Sequence, residues 1–309
     1  MLGRRQQRTT RASDLTDDDR RRIERAVGGS RVDMSAGLYS PSGMVRRVNR
    51  EAVLLAGGGR ALLMQIAHPL VAAGVARHSG FERDPLGRLW RTLDLTLTIV
   101  FGDAASAVTA VKRIEKLHSV VRGHLTESVG PFDARSTYDA TDPALLFWVH
   151  ATLIDSALST YDRFVRPLDE HERLAFFEES KTTARLFGVP EEHIPADANE
   201  FDRYMRGMLA GDTLTIGDDA RRVASSIMDP PLPAGLRQIA GSGRIFTEGM
   251  LPAELRQRFG YSWNHSRQRN LERAQAFSRR VLPYLPARAR YFPHALRAGG
   301  PSGEPRSVK

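Results

Sequence analysis

Four of the five histidines between Met64 and Asp155, His68, His78, His118 and His150, lie among apolar, helix-forming residues. Imidazole is the commonest protein metal ligand and an odd choice for a purely structural apolar stripe. His118 falls within a stripe of Ala104, Ala107, Val108, Val111, Ile114, Leu117 and Val121, which recur at helical spacing and should face a core. A neutral imidazole buried there must satisfy its ring nitrogens. A metal would do so strongly, and a carbonyl or carboxylate would do so without any function. His150 borders a second stripe, Leu146, Val149, Leu153, Ala157 and Tyr161, beside Phe147 and Trp148 and within two turns of Asp155. It reads as a second ligand or as a packing anchor held by a hydrogen bond. His68 follows a very apolar run and should be buried, whereas His78 sits at a loop edge and should be exposed.

Arg88, Arg91, Thr92, Leu95 and Thr96 share a helix face opposite Leu86, Leu89, Trp90, Leu93, Leu97, Val100 and Phe101. Two guanidiniums and a hydroxyl in one stripe can clamp a carboxylate, a phosphate or a porphyrin propionate. An ordinary solvated face has the same composition. Other chemistries are excluded more firmly. The chain has no cysteine, so thiol catalysis, disulfides, iron–sulfur clusters and thiolate zinc sites are ruled out. Walker A, HExxH, GxSxG and strand-linked GxGxxG patterns do not occur. Glu115 and His118 make one Glu-x-x-His match where a di-iron bundle needs two.

These groups must be positioned by helices, because the hydrophobic period is helical almost throughout and hairpin signals are absent. Val53 to Ala67 reads as a buried helix whose Gly57-Gly58-Gly59 triplet allows close packing, and Pro69 should bend or restart it. Val71 to His78 continues, and residues 79 to 84 form a loop. Pro85 then opens a helix to about Phe101. Asp103 caps a helix reaching about His124, and residues 130 to 140 should form a loop. Thr141 or Asp142 caps the next helix, with Pro143 at its first position, to about Phe164. Further helices are expected over 168–187, 199–209, 218–228, 236–247, 252–259 and 263–281, with a sharp turn at Asp229-Pro230-Pro231-Leu232-Pro233. The expected fold class is all-α, a helical bundle.

The 309 residues are 41% hydrophobic and carry a net charge of +9, much of it at the ends. The run GRRQQRTTRASDLTDDDRRRIER suggests a basic, flexible segment over residues 1–30, and a basic, irregular tail is expected over 286–309. A single helical domain would occupy 31–285. Such ends can touch an anionic membrane surface, but no aromatic residues interleave with them, so nucleic-acid binding is not expected. The nearest candidate for a membrane span, Ala52 to Ala76, is interrupted by glycines, Arg60 and His68-Pro69. With no apolar signal-peptide run either, a soluble cytoplasmic protein is expected.

Three stretches carry a family resemblance: LLMQIAHPLVAAGVARHSGFERDPLGRLWRTL, VKRIEKLHSVVRG and DPALLFWVHATLIDSAL. Over roughly Ser42 to Met208 the chain resembles the DUF2236 family of mycophenolate-biosynthesis and rubber oxygenases, and its short actinobacterial members above all. The resemblance implies an all-helical fold with a globin-like core around haem b. It places His118, with Arg122 after it, at the family's proximal iron ligand, and Arg88 and Thr92 at its distal arginine and threonine. Arg91 stands where the rubber oxygenase has an iron-capping lysine, and a guanidinium, always protonated, cannot ligate iron. No carboxylate of this chain is matched to that enzyme's catalytic glutamate. The implied activity is a haem-dependent oxidoreductase of oxygenase type acting on a hydrophobic small molecule. His118 would hold the iron, Arg88, Arg91 and Thr92 would serve the reacting side, and His68, His150 and Trp148 would complete the cofactor pocket. An apolar pocket of Trp90, Phe101 and Trp148 would take the substrate. Two alternatives are a non-catalytic haem carrier whose sixth position a second histidine closes, and a cofactor-free interaction protein that docks through its basic ends.

Overall fold

The computed structural model describes residues 15–29, 33–34, 36–78, 85–229 and 237–299, with backbone alone at 85–86, 88–89 and 237–242. The fold is all-α. The first helices are α1 (Asp17–Ala26), α2 (Met44–Asn49), a 3₁₀ segment (Ala52–Gly57), α3 (Gly58–Ile66), α4 (Pro69–His78), α5 (Pro85–Phe101) and α6 (Ala104–His118). A two-stranded antiparallel hairpin follows, β1 (Arg122–His124) and β2 (Thr137–Asp139), with Gly123 opposite Tyr138. Then come α7 (Pro143–Phe164), α8 (Glu170–Leu186), α9 (Ala198–Ala210), α10 (Asp218–Met228), α11 (Arg237–Met250), α12 (Ala253–Arg258) and α13 (His265–Val281). Short α14 (Ala287–Arg290) and α15 (Pro293–Arg297) close the described chain.

Helix α7 is the axis of the core. Asp142 caps it by accepting from the Ala144 N–H at 2.8 Å, and Pro143 occupies the first turn, where no N–H is needed. Its Phe147, Trp148, Ala151, Ile154, Tyr161 and Phe164 are all buried, because the 3₁₀ segment and α3, α8 and α13 surround it. The glycine triplet does what its sequence suggests. A Cβ on Gly57 would strike the Thr160 hydroxyl of α7, and one on Gly59 would strike Thr247 of α11. Glycine lets backbone approach backbone at both crossings.

Arg60 sits between these crossings, 5% exposed. Its guanidinium donates to the Met250 carbonyl at 2.8 Å, to the Ser156 hydroxyl at 2.7 Å and to the Asp155 carboxylate at 2.5 Å. It thereby joins α3, α7 and the end of α11.

The expected helix to His124 ends instead at His118. The following residues turn into β1, and the Ala140 N–H donates to the Val121 carbonyl at 2.9 Å. Gly74 of α4 makes room for this hairpin, since a Cβ there would lie 3.2 Å from Val121. Residues 130–140, expected to be a loop, thus supply β2. Tertiary docking against α4 overrides helical periodicity here.

Residues 15–29 and 287–299 are more structured than their charge suggests. Thr16 and Asp19 form a capping box for α1, Ile23 is fully buried, and Arg22 bonds both Glu115 and the Leu186 carbonyl. The basic segment expected over 1–30 is therefore a docked helix from residue 17, and residues 1–14 lie outside those described. The tail expected to be irregular from 286 contains α14 and α15, with Phe292 and Ala295 buried. Arg290 forks onto Glu51, a fully buried carboxylate, at 2.7 and 2.9 Å.

Among the described residues no single helix is long and apolar enough to cross a membrane. The stretches 52–66 and 69–78 pass that test only when taken together, and they bend by 107°.

Replacing Arg60 by Met should strand Asp155 and Ser156 inside the three-helix junction. The expected cost is about 3 kcal/mol. It would be read as a lower urea midpoint at an unchanged slope.

Candidate functional site

Helices α5 and α6 form an antiparallel hairpin turned by Gly102 and Asp103, where Asp103 accepts from the Ser106 N–H at 2.7 Å. The hairpin brings the first half of α5, with Arg88, Arg91 and Thr92, level with the last turn of α6, which ends in His118. The side chain of Arg88 lies outside the described set, as does the loop over 79–84. Arg91 and Thr92 are exposed, and the Thr96 hydroxyl donates to the Thr92 carbonyl at 3.0 Å.

His118 is half-buried. The apolar stripe that leads to it is buried through Val111, half-buried at Ile114 and open at Leu117, which is 62% exposed rather than in the core. The last turn runs beyond the Arg22–Glu115 pair that ties α1 to α6. Trp90 and Val120 are also exposed at this end, at 56% and 67%. The hairpin thus ends in an imidazole set among uncovered apolar side chains. Arg122 borders this end. It donates to the Ser119 carbonyl at 2.7 Å, lies 4.0 Å from Asp139, and keeps most of its side chain in solvent.

The other candidates occupy separate places. Trp148 is 1% exposed and donates its indole N–H to the Gln65 carbonyl at 3.3 Å. His150 lies within hydrogen-bond distance of the Ser180 carbonyl of α8, 3.0 Å from its Nε2. Burial pushes its pKa down to about 4. Helix α6 packs chiefly on α5 and α1, and α7 on the 3₁₀ segment, α3, α8 and α13, so His118 and His150 stand on elements with different neighbours. His78 is exposed, as its loop-edge position suggests, and its Nε2 also lies 3.1 Å from the Tyr138 hydroxyl.

The pocket expected from Trp90, Phe101 and Trp148 does not form. Trp90 is exposed near the start of α5. Phe101 is at the other end, 5.7 Å from the Arg46 guanidinium, and Trp148 is sealed in the core. Eleven residues of helix separate the first two by about 16 Å along the axis, a distance that shared periodicity does not reveal.

His68 lies at the junction of α3 and α4, 7% exposed, with its ring 5.3 Å from that of Phe132. Its Nδ1 is buried and has no hydrogen-bond partner among the described residues. Burial lowers its pKa to about 4, against a weaker opposing pull from Asp142. No cluster of three or more histidine or carboxylate groups able to hold a bare metal ion occurs among the described residues.

Fold and site together define an all-helical protein with a half-buried imidazole at the end of a hairpin helix. Residues 45–280 match the family described as "ER-bound oxygenase mpaB/B'/Rubber oxygenase, catalytic domain", and the chain belongs to that family. It is 26% identical over 242 residues to the uncharacterized protein Rv2237 of Mycobacterium tuberculosis, an alignment covering 76% of this chain and 91% of that protein. The uncharacterized protein Mb2261 of Mycobacterium bovis matches to the same extent. No solved structure matches.

The buried His68 ring makes stability depend on pH. The unfolded chain takes up the proton near 6.5 and the folded one near 4, so the contribution is complete above about 6.5 and is lost as pH falls toward 4. Its size is roughly 3 kcal/mol. Replacing His68 by Phe should therefore reduce the loss of unfolding free energy between pH 7.5 and 4.5 in urea titrations. An unchanged loss would show that another group is responsible.

Proposed function

We propose that the protein is a haem-dependent oxidoreductase of oxygenase type, with His118 as the iron ligand and a hydrophobic small molecule as substrate. One observation carries the reading. A half-buried imidazole ends α6 next in sequence to exposed Leu117 and close to exposed Val120, and Trp90, near the start of the partner helix α5, is exposed as well. The donor set fits haem b in kind. One imidazole suits iron, flat apolar surface suits the porphyrin, and the cations Arg91 and Arg122 suit its carboxylates. Membership of an oxygenase family supports the same reading.

When bound, haem would supply the one-electron and dioxygen chemistry that no side chain of this chain can perform. The residues of the chain have narrower tasks. His118 holds the cofactor from the end of a helix whose other end is fixed by its Asp103 cap. Arg91 stays cationic, so it stabilises negative charge and never competes for the iron. Thr92 offers a hydroxyl one position further along α5, beside the Arg91 charge. Trp90, Leu117 and Val120 keep water from the ring and favour an apolar substrate.

The test is the absorption spectrum and iron content of protein purified from iron-supplemented cells. Wild type should show a Soret band, and His118→Ala should retain at least about tenfold less haem with unchanged far-UV circular dichroism. Full haem content in the variant would move the ligand elsewhere. Colourless wild type that cannot be reconstituted with haem would end the proposal.

A further inference from the structure

A second place in the molecule has the makings of a binding site, and it lies away from the α5–α6 hairpin. The end of α2, the end of α7 and the C-terminal segment enclose a cavity of about 270 Å³. Arg47, Arg50, Arg166 and Arg290 line it together with Tyr161. Two carboxylates answer the four guanidiniums. Glu172 takes Arg166 in a fork at 2.5 and 2.7 Å and Arg47 at 3.3 Å, and these cations hold its pKa down to about 2. Glu51 takes Arg290 in a second fork. The ring of residues therefore keeps two positive charges in excess.

Arg50 carries much of that excess. Its nearest carboxylate oxygen, on Glu51, is 3.9 Å away, beyond hydrogen-bond reach. Its Nε is buried without a partner, although only 16% of the side chain is exposed. The Tyr291 ring, 4.8 Å from the guanidinium carbon, holds the group in place. Tyr161, 3% exposed, lines the same cavity. Buried donors left unpaired are costly and uncommon in folded proteins. Here a guanidinium and a phenol share one cavity, next to an uncompensated charge. The complement is an anion with acceptor oxygens on several sides and a charge near −2. A phosphate monoester has both, and arginine binds it bidentately. The remaining wall, Val165, Leu282 and Pro283, is apolar and suits a short organic body. The cavity is slightly smaller than those that take drug-sized ligands, of about 300 Å³ or more.

We infer that this cavity binds the phosphate group of a small phosphomonoester, with Arg50 and Tyr161 as its direct donors. The experiment is calorimetric titration of the full chain at pH 8 with inorganic phosphate and with phenyl phosphate. Both should bind saturably, phenyl phosphate the more tightly. Arg50→Gln should weaken binding at least about tenfold. Tyr161→Phe, which removes only the phenolic oxygen from the lining, should weaken it roughly threefold to tenfold with an unchanged melting temperature. If Arg50→Gln fails to fold, Tyr161→Phe carries the test alone. Absence of saturable binding by either compound, or wild-type affinity in the folded variants, would overturn the inference.

Discussion

The architecture depends on three helices, α3, α7 and α11, coming close enough for one guanidinium to serve them all. Gly57 and Gly59 remove the side chains that would hold the 3₁₀ segment and α3 away from Thr160 and Thr247. Arg60, one residue further on, can then reach a carboxylate, a hydroxyl and a backbone carbonyl on two different neighbours. The buried charge is tolerable only because every direction in which it donates meets an acceptor. Close backbone approach and charge satisfaction are therefore one constraint, and the core around α7 is assembled on it.

The hairpin of α5 and α6 stands apart from that junction. It is held to the body through α1 and α2, by Lys112 on Asp19, Arg22 on Glu115 and Arg46 on the carbonyls of Val100 and Phe101. Among the described residues, Trp90, Leu117 and Val120 stay exposed at the far end of the hairpin, where half-buried His118 ends α6. A site built in this way combines a rigid origin with an open edge. The origin is the capped start of α6, and the edge is a surface of apolar groups that a flat apolar ligand could cover. The family match gives that arrangement an oxygenase context.

Much of this was legible in the residue order, and the exceptions have physical causes. Helix boundaries at Asp103, Asp142-Pro143 and Asp169 could be read because caps are local chemistry. The β-hairpin could not, since Val121 continues the helical stripe and only docking against Gly74 turns it away. The α1 capping box was visible in Thr16 and Asp19 but was masked by the surrounding arginines. For the candidate site, composition drew attention to the α5–α6 hairpin. It overestimated burial at Leu117 and joined Trp90 to Trp148, because a stripe shows which face is apolar and not what covers it. The Arg50 and Tyr161 cavity gave no sequence signal, since its donors come from segments more than a hundred residues apart.

The pairing of Glu51 with Arg290 spans 239 residues. During synthesis the carboxylate leaves the ribosome long before its guanidinium exists. Until α14 emerges, Glu51 must stay hydrated, because an ionised carboxylate without a cation is strongly disfavoured in an apolar interior. The Glu51–Arg290 pair can therefore close only after α14 has been made.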